Sequence, residues 1–409
     1  MPRRVMIWLV SALLVLAGCG DGPEPRASAT PSPSRPAVKQ GHPDDLDGDG
    51  RADLFVEVDL VRKDLRYLAA VYGSPQGLDP ERRTVISPDT FSSWLIDVGV
   101  RADLDGDGFG DVLGYGRPGG PDERMRPHVF WGGPRGLGAT PVPVPLPVAS
   151  DAGTYRAVAG DFDGDGAADV AMSTPPAAGQ GDTDLAVLYG PFSRAGAPAR
   201  QTVQPSPTGA EFWRMTVDRI EGRRATGLIV YEADDGEQTS GRLLAAGPGG
   251  LAKQGRRLTP GMSAAFGDFD GDGARDVAVG DDGNRNNEPG YETEAPSVHE
   301  TLTVSYGNGR ATTFKGAAGR LVAGDFDGDG RDDLAFGGPD RPVRMFWGGS
   351  GGLRAGGGID GVGRAAPLSS GDYDGDGDDE LAFSQGDDDF TVIVTDGRKA
   401  LTRFGLPPG

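Results

Sequence analysis

The chain has 409 residues, with 61 acidic and 40 basic side chains and a formal net charge of −21. An acidic chain without a basic stripe excludes a nucleic-acid-binding role, because such binding rests on neutralising phosphates. The one cysteine, Cys19, excludes an intramolecular disulfide.

Arg3 and Arg4 precede an apolar run from Val5 to Leu16, the length of a signal-peptide core and short for a bilayer span. The run ends in Leu16-Ala17-Gly18-Cys19, which resembles the lipobox of bacterial lipoproteins. That resemblance implies a signal peptide over 1–18, removed before Cys19, and a diacylglyceryl group on the Cys19 sulfur. The expected location is the outer face of the cell membrane, held by a lipid anchor alone. Residues 19–43 carry the lipidated cysteine and turn rich in Pro, Ser and Ala, with five prolines from Pro23 to Pro36. So little apolar surface reads as an extended tether.

From residue 44 to 409 the pattern is all-β: short apolar strands alternate with Gly-rich turns. Asp45-Leu46-Asp47-Gly48-Asp49-Gly50-Arg51-Ala52-Asp53 is the first of six nine-residue loops with acids at positions 1, 3, 5 and 9 and glycines at 4 and 6. The second carries Asp103, Asp105, Asp107 and Asp111, and the third Asp161, Asp163, Asp165 and Asp169. The next two carry Asp268, Asp270, Asp272 and Asp276, then Asp325, Asp327, Asp329 and Asp333. The last has Asp372, Asp374, Asp376 and, at position 9, Glu380. Alternate carboxylates can turn inward onto one hard cation, and oxygen-only ligands in a flexible loop suit Ca²⁺. Six such ions would cancel more than half of the net negative charge, so the acidity is largely ligand charge.

The interval from Asp161 to Asp268 is about twice the others, which places a hidden repeat near residue 217. There Phe212 to Ile220 and Gly227 to Tyr231 read as strands around the turn Glu221-Gly222-Arg223-Arg224. Most of its carboxylates are gone, so no metal is expected. A second signature follows each loop: an apolar run, often ending in an aromatic, then glycine and Gly-Leu. Examples are Val71-Tyr72-Gly73 with Gly77-Leu78, and Phe130-Trp131-Gly132 with Gly136-Leu137. Small residues such as Ala157-Val158-Ala159-Gly160 precede several loops and suit strands crowded around an axis.

Together these residues resemble the FG-GAP/VCBS repeats of the integrin α-subunit head. The resemblance implies a seven-bladed β-propeller in which each blade has four strands. The Asp-rich loop joins first strand to second, and the acids at positions 1, 3, 5 and 9 bind calcium. A closed ring also explains how so long a segment forms one domain. The resemblance places the loops between second and third strands on the face opposite the metal. With Phe91, Trp94, Tyr155, Phe212 and Trp213, these form the candidate ligand face.

Catalytic motifs are weak. His42, His128 and His299 are far apart in the sequence. Gly348-Gly349-Ser350-Gly351-Gly352 matches a nucleophile-elbow pattern and Gly356-Gly357-Gly358-Ile359-Asp360-Gly361 a dinucleotide pattern, but neither opens a helix. The expected function is a calcium-binding, surface-anchored monomer that binds a protein or glycan partner. The alternatives are an extracellular polysaccharide lyase or hydrolase on the same scaffold, or a purely architectural lipoprotein.

Overall fold

The computed structural model describes residues 42–60, 65–86, 100–116, 126–146, 156–174, 183–232, 237–286, 297–386 and 390–407. Residues Val38–Gly409 form one compact unit. Among the described residues there is no helix, and the strands fall into seven antiparallel sheets in chain order. The expected all-β, seven-bladed propeller is what the structure shows.

Blade three is typical: Ala157–Gly160, Asp169–Thr174, Asp184–Tyr189 and Arg200–Pro205 pair in sequence from the inner strand outward. The Asp161–Asp169 loop joins its first two strands. The hidden repeat is blade four, with Phe212–Val217, Leu228–Glu232, Ser240–Leu244 and Arg256–Pro260. Blade one has three strands among the described residues, Leu54–Leu60, Leu65–Tyr72 and Asp79–Ile86, with its Asp-rich loop just ahead.

The middle strands are buried on both faces, so they read as unbroken apolar runs. Side chains alternate between faces along each strand, and the two faces meet different neighbours. In blade three, Val170, Met172, Ala186 and Leu188 pack towards blade two, while Ala171, Leu185, Val187 and Tyr189 pack towards blade four. The core is therefore seven separate clusters, one in each seam between neighbouring blades. Aromatics such as Phe162, Phe269 and Phe326, each at position 2 of its loop, are almost wholly buried in these seams. Each contributes about 1.5–3 kcal/mol of burial.

The seventh cluster closes the ring. Leu54, Val56 and Val71 of blade one pack with Ala382, Val392 and Val394 of blade seven. A belt of backbone hydrogen bonds reinforces the circle, as the amide at position 8 of a loop donates to the position 1 carbonyl of the preceding blade. Gly110 donates to Asp45 (2.6 Å), Thr226 to Asp161 (2.7 Å), Asp379 to Asp325 (2.8 Å), and Ala52 to Asp372 (2.8 Å) across the closure. The small inner strands surround an axial cavity of about 760 Å³, lined by Ala157–Ala159, Thr216, Ser263–Ala265 and Ser369–Gly371.

Candidate metal centres

Each loop is shaped by its first aspartate. Asp161 Oδ1 accepts the amides of Gly164 (2.8 Å) and Asp165 (3.1 Å), and Oδ2 accepts that of Gly166 (2.9 Å). Turning three successive amides inward requires positive φ at Gly164 (72°) and Gly166 (89°), which only glycine adopts cheaply. The position 1 carboxylate takes the amides of positions 5 and 6 in all six loops.

Position 9 links the two sequence signatures. Asp169 Oδ2 accepts the amide of Phe162 (2.8 Å), and Oδ1 that of Gly190 (2.9 Å), the glycine after the aromatic. The same pair of bonds recurs at Asp53, Asp111, Asp276 and Asp333. Glu380 accepts the amide of Tyr373 at 2.9 Å, but its blade has no aromatic–glycine pair. These carboxyls are buried. Desolvation pushes Asp53, Asp111, Asp169 and Glu380 up to about 8, Asp333 to about 7 and Asp276 to about 6. The backbone amides oppose the rise and the neighbouring loop acids add to it.

The carboxylates at positions 1, 3 and 9 converge. In the sets Asp45/Asp47/Asp53, Asp103/Asp105/Asp111, Asp161/Asp163/Asp169, Asp268/Asp270/Asp276 and Asp325/Asp327/Asp333, ligand atoms lie within 4.8 Å of one another. The sequence expectation also included position 5. Asp49, Asp107, Asp165, Asp272, Asp329 and Asp376 each accept the amide of position 7 through Oδ1 and are absent from these five sets. Asp270 gives an independent indication of what the clusters could hold. It is 6% exposed, and its Oδ1 has no hydrogen-bond partner; Asp327 Oδ1 is likewise buried and unpartnered. A buried carboxylate oxygen left without a donor is costly. Three converging oxygen donors fit a hard divalent cation.

Sequence reasoning missed the arginines. In five loops the outer oxygen at position 3 meets a guanidinium that also lies over an aromatic ring. Arg82 joins Asp47 (2.8 Å) to Tyr72, Arg310 joins Asp270 (2.6 Å) to Tyr306, and Arg200 joins Asp163 to Tyr189. Arg194 and Arg398 come from the following blade to Asp105 over Trp131 and to Asp327 (3.1 Å) over Trp347. Their distances along the chain from the loops are irregular, so no spacing rule exposes them.

Blade four has lost the site. Strand register puts Gly227 where the others have the position 9 acid, and Arg219, Glu221 and Arg223 at positions 1, 3 and 5. An ion cluster stands there instead: Arg275 of blade five bonds Asp218 (2.8 Å) and Asp332 of blade six (2.9 Å). Arg219 reaches Asp379 of blade seven at 3.2 Å.

Of the candidate ligand face, Phe91, Trp94 and Tyr155 lie outside the described residues, as does the Trp213 side chain. Cys19 also lies outside them. Phe212 is corrected: it is fully buried in the seam between blades three and four and serves as core. What the structure does place beside Met215 at that end of the cavity is a polar group. Asp282 accepts from Arg214 (2.6 Å), Gln238 (2.5 Å) and Asn284, which hold its carboxyl below the usual range despite desolvation by burial.

Among solved structures, the chain is similar to a Photorhabdus luminescens Tc holotoxin pore, at 16% identity and a TM-score of 0.37, over 86% of this chain and 13% of that one. It is also similar to a Bacillus licheniformis rhamnogalacturonan lyase, at 16% identity and a TM-score of 0.26, over 88% of this chain and 61% of that one. The chain thus spans less than two thirds of either. No curated protein matches it. A family model for the FG-GAP-like repeat matches residues 103–172 and 325–383, which here run from the loops of blades two and six into the second strands of blades three and seven. Those two stretches are thus similar to FG-GAP-like repeats, and the described strands form a seven-bladed β-propeller.

Proposed function

We propose that this chain is a calcium-binding propeller, tethered to the outer face of the cell membrane through Cys19, that binds a protein or glycan partner. The observation that carries the calcium reading is the orphaned Oδ1 of Asp270 and Asp327, each in a cluster of three converging carboxylates. A hard cation preferring six to eight oxygens satisfies such atoms where a soft one would not. The ion would offset the repulsion that burial concentrates on positions 1, 3 and 9. A site filled at 100 times its dissociation constant adds about 2.7 kcal/mol to stability. A binding role is supported by the blade surfaces, which differ from one another, while the loops repeat. The variable second-to-third-strand connections include Asp281–Arg285, where the Arg214–Asp282–Gln238 group already concentrates polar side chains.

The test is thermal unfolding in excess calcium and in excess chelator, with bound metal counted. The reading expects a large calcium-dependent rise and close to six ions; equal melting with no metal would overturn it. Cys19→Ser is expected to release the protein from the membrane fraction, and unchanged association would count against the anchor.

A further inference from the structure

Five of the seven blades end their third strand in a ring: Tyr72, Trp131, Tyr189, Tyr306 and Trp347. Each is covered from the next blade. Any Cβ on Gly136, Gly250 or Gly352 would strike the hydroxyl of Tyr72, Tyr189 or Tyr306, while Arg194 and Arg398 lie over the two tryptophans. Blade four departs from this pattern. Leu228 pairs with Leu244 as Val112 pairs with Phe130, so Ala245 stands where blade two has Trp131. Ala245 is exposed, and the turn of blade five, Gly307-Asn308-Gly309, has no Gly-Leu extension to cover it.

The result is a cavity of about 450 Å³ in the seam between blades four and five. Its apolar lining comes from Leu243, Phe266 and Val277. Its polar lining has three guanidiniums, on Arg224, Arg256 and Arg275, against the one carboxylate of Asp218. That excess of positive charge stands out in a chain of net charge −21. Arg275 and Arg224 are committed to Asp218 and Glu221. The Arg256 side chain is exposed and makes no hydrogen bond or ion pair among the described residues. It sits opposite Leu243 in the strand register, so both side chains emerge on the face that meets blade five. The five arginines that cover rings elsewhere each have two partners, the ring beneath and a position 3 aspartate beside. Blade four offers Arg256 neither, because Ala245 has replaced the ring and Glu221 pairs with Arg224 at 3.0 Å.

We infer that this seam is a binding site for an aromatic carboxylate. Its ring fills the space left by Ala245, and its carboxylate takes the guanidinium of Arg256. The volume is that of a small-ligand pocket, and cation–π contact and a charge-assisted hydrogen bond supply the recognition. The same chemistry arrives either as a free aryl acid or as the terminal Tyr, Phe or Trp of a polypeptide. The inference does not depend on the calcium reading, since blade four lacks the Asp-rich loop.

The test titrates the full chain, in calcium, with 4-hydroxyphenylacetate and with a short peptide ending in a free tyrosine carboxylate, by calorimetry. Saturable binding of the small acid supports the first source, and binding of the peptide alone the second. Arg256→Gln and Ala245→Trp are each expected to weaken binding at least about tenfold. The tryptophan variant should also melt no lower than the parent. Cyclohexylacetate and the amidated peptide are expected to bind at least about tenfold more weakly than their counterparts. The inference is overturned if neither ligand binds the parent, if cyclohexylacetate or the amidated peptide binds equally well, or if Arg256→Gln binds as the parent does. Arg256 is exposed, so that variant decides the matter even where Ala245→Trp fails to fold.

Discussion

The amide of Gly190 donates to Oδ1 of Asp169 at 2.9 Å, while the other oxygen of that carboxylate accepts Phe162. One acid thus pins the metal loop to the turn at the end of the third strand. In five repeats the recurring order, loop first and glycine turn second, is tied together by this bond. It also separates two kinds of acid that look alike in sequence.

Asp169→Ala removes a buried acceptor from two amides, so it should destabilise the fold by roughly 2–4 kcal/mol even in chelator. Asp163→Ala leaves those amides satisfied and should lower stability mainly in calcium, with the other sites intact. Melting both variants with and without calcium checks the split. Equal behaviour of the two in chelator would refute it.

The pH dependence of the metal-free protein follows from the same buried acids. Asp53, Asp111 and Asp169 rise from an ordinary 3.8 to about 8 through desolvation, so the folded state binds protons that the unfolded chain has released. The stability this contributes is fully present below about 3.8 and is lost as pH rises through about 8. In chelator, the melting temperature at pH 5 should exceed that at pH 8.5. Calcium should flatten or reverse the trend, since it favours the ionised form. A chelated protein that gains stability towards pH 8.5 would contradict this.

Tyr306 reaches across a seam to accept the amide of Leu353 at 2.9 Å. Tyr306→Phe leaves that amide buried without a partner, at a cost of about 1–3 kcal/mol. Calcium titration of the variant should be unchanged, because the bond joins blades and not a ligand. Denaturant unfolding in calcium gives the measurement.

Arg275 holds Asp218 and Asp332 together where blade four has no metal loop. Arg275→Ala strands a buried Asp218 carboxylate, and about 3–5 kcal/mol of stability should be lost. The loss should be the same in calcium and in chelator. A loss seen only in calcium would place this cluster among the metal-dependent features.

The sequence alone determined the number of blades, the six Asp-rich loops and the decayed fourth repeat. These are written in local chemistry that recurs at intervals: two glycines at positive φ around an aspartate, and strands buried on both sides. Alternation along the loop does not show that the position 5 carboxylate accepts the position 7 amide. Phe212 was misread because an aromatic at a strand entry looks the same whether it faces solvent or a seam. The arginine partners, the Arg275 cluster and the pocket at Ala245 exist only in the folded blades and the seams between them. Strand register within a blade and packing between blades, not spacing along the chain, decide which side chains meet.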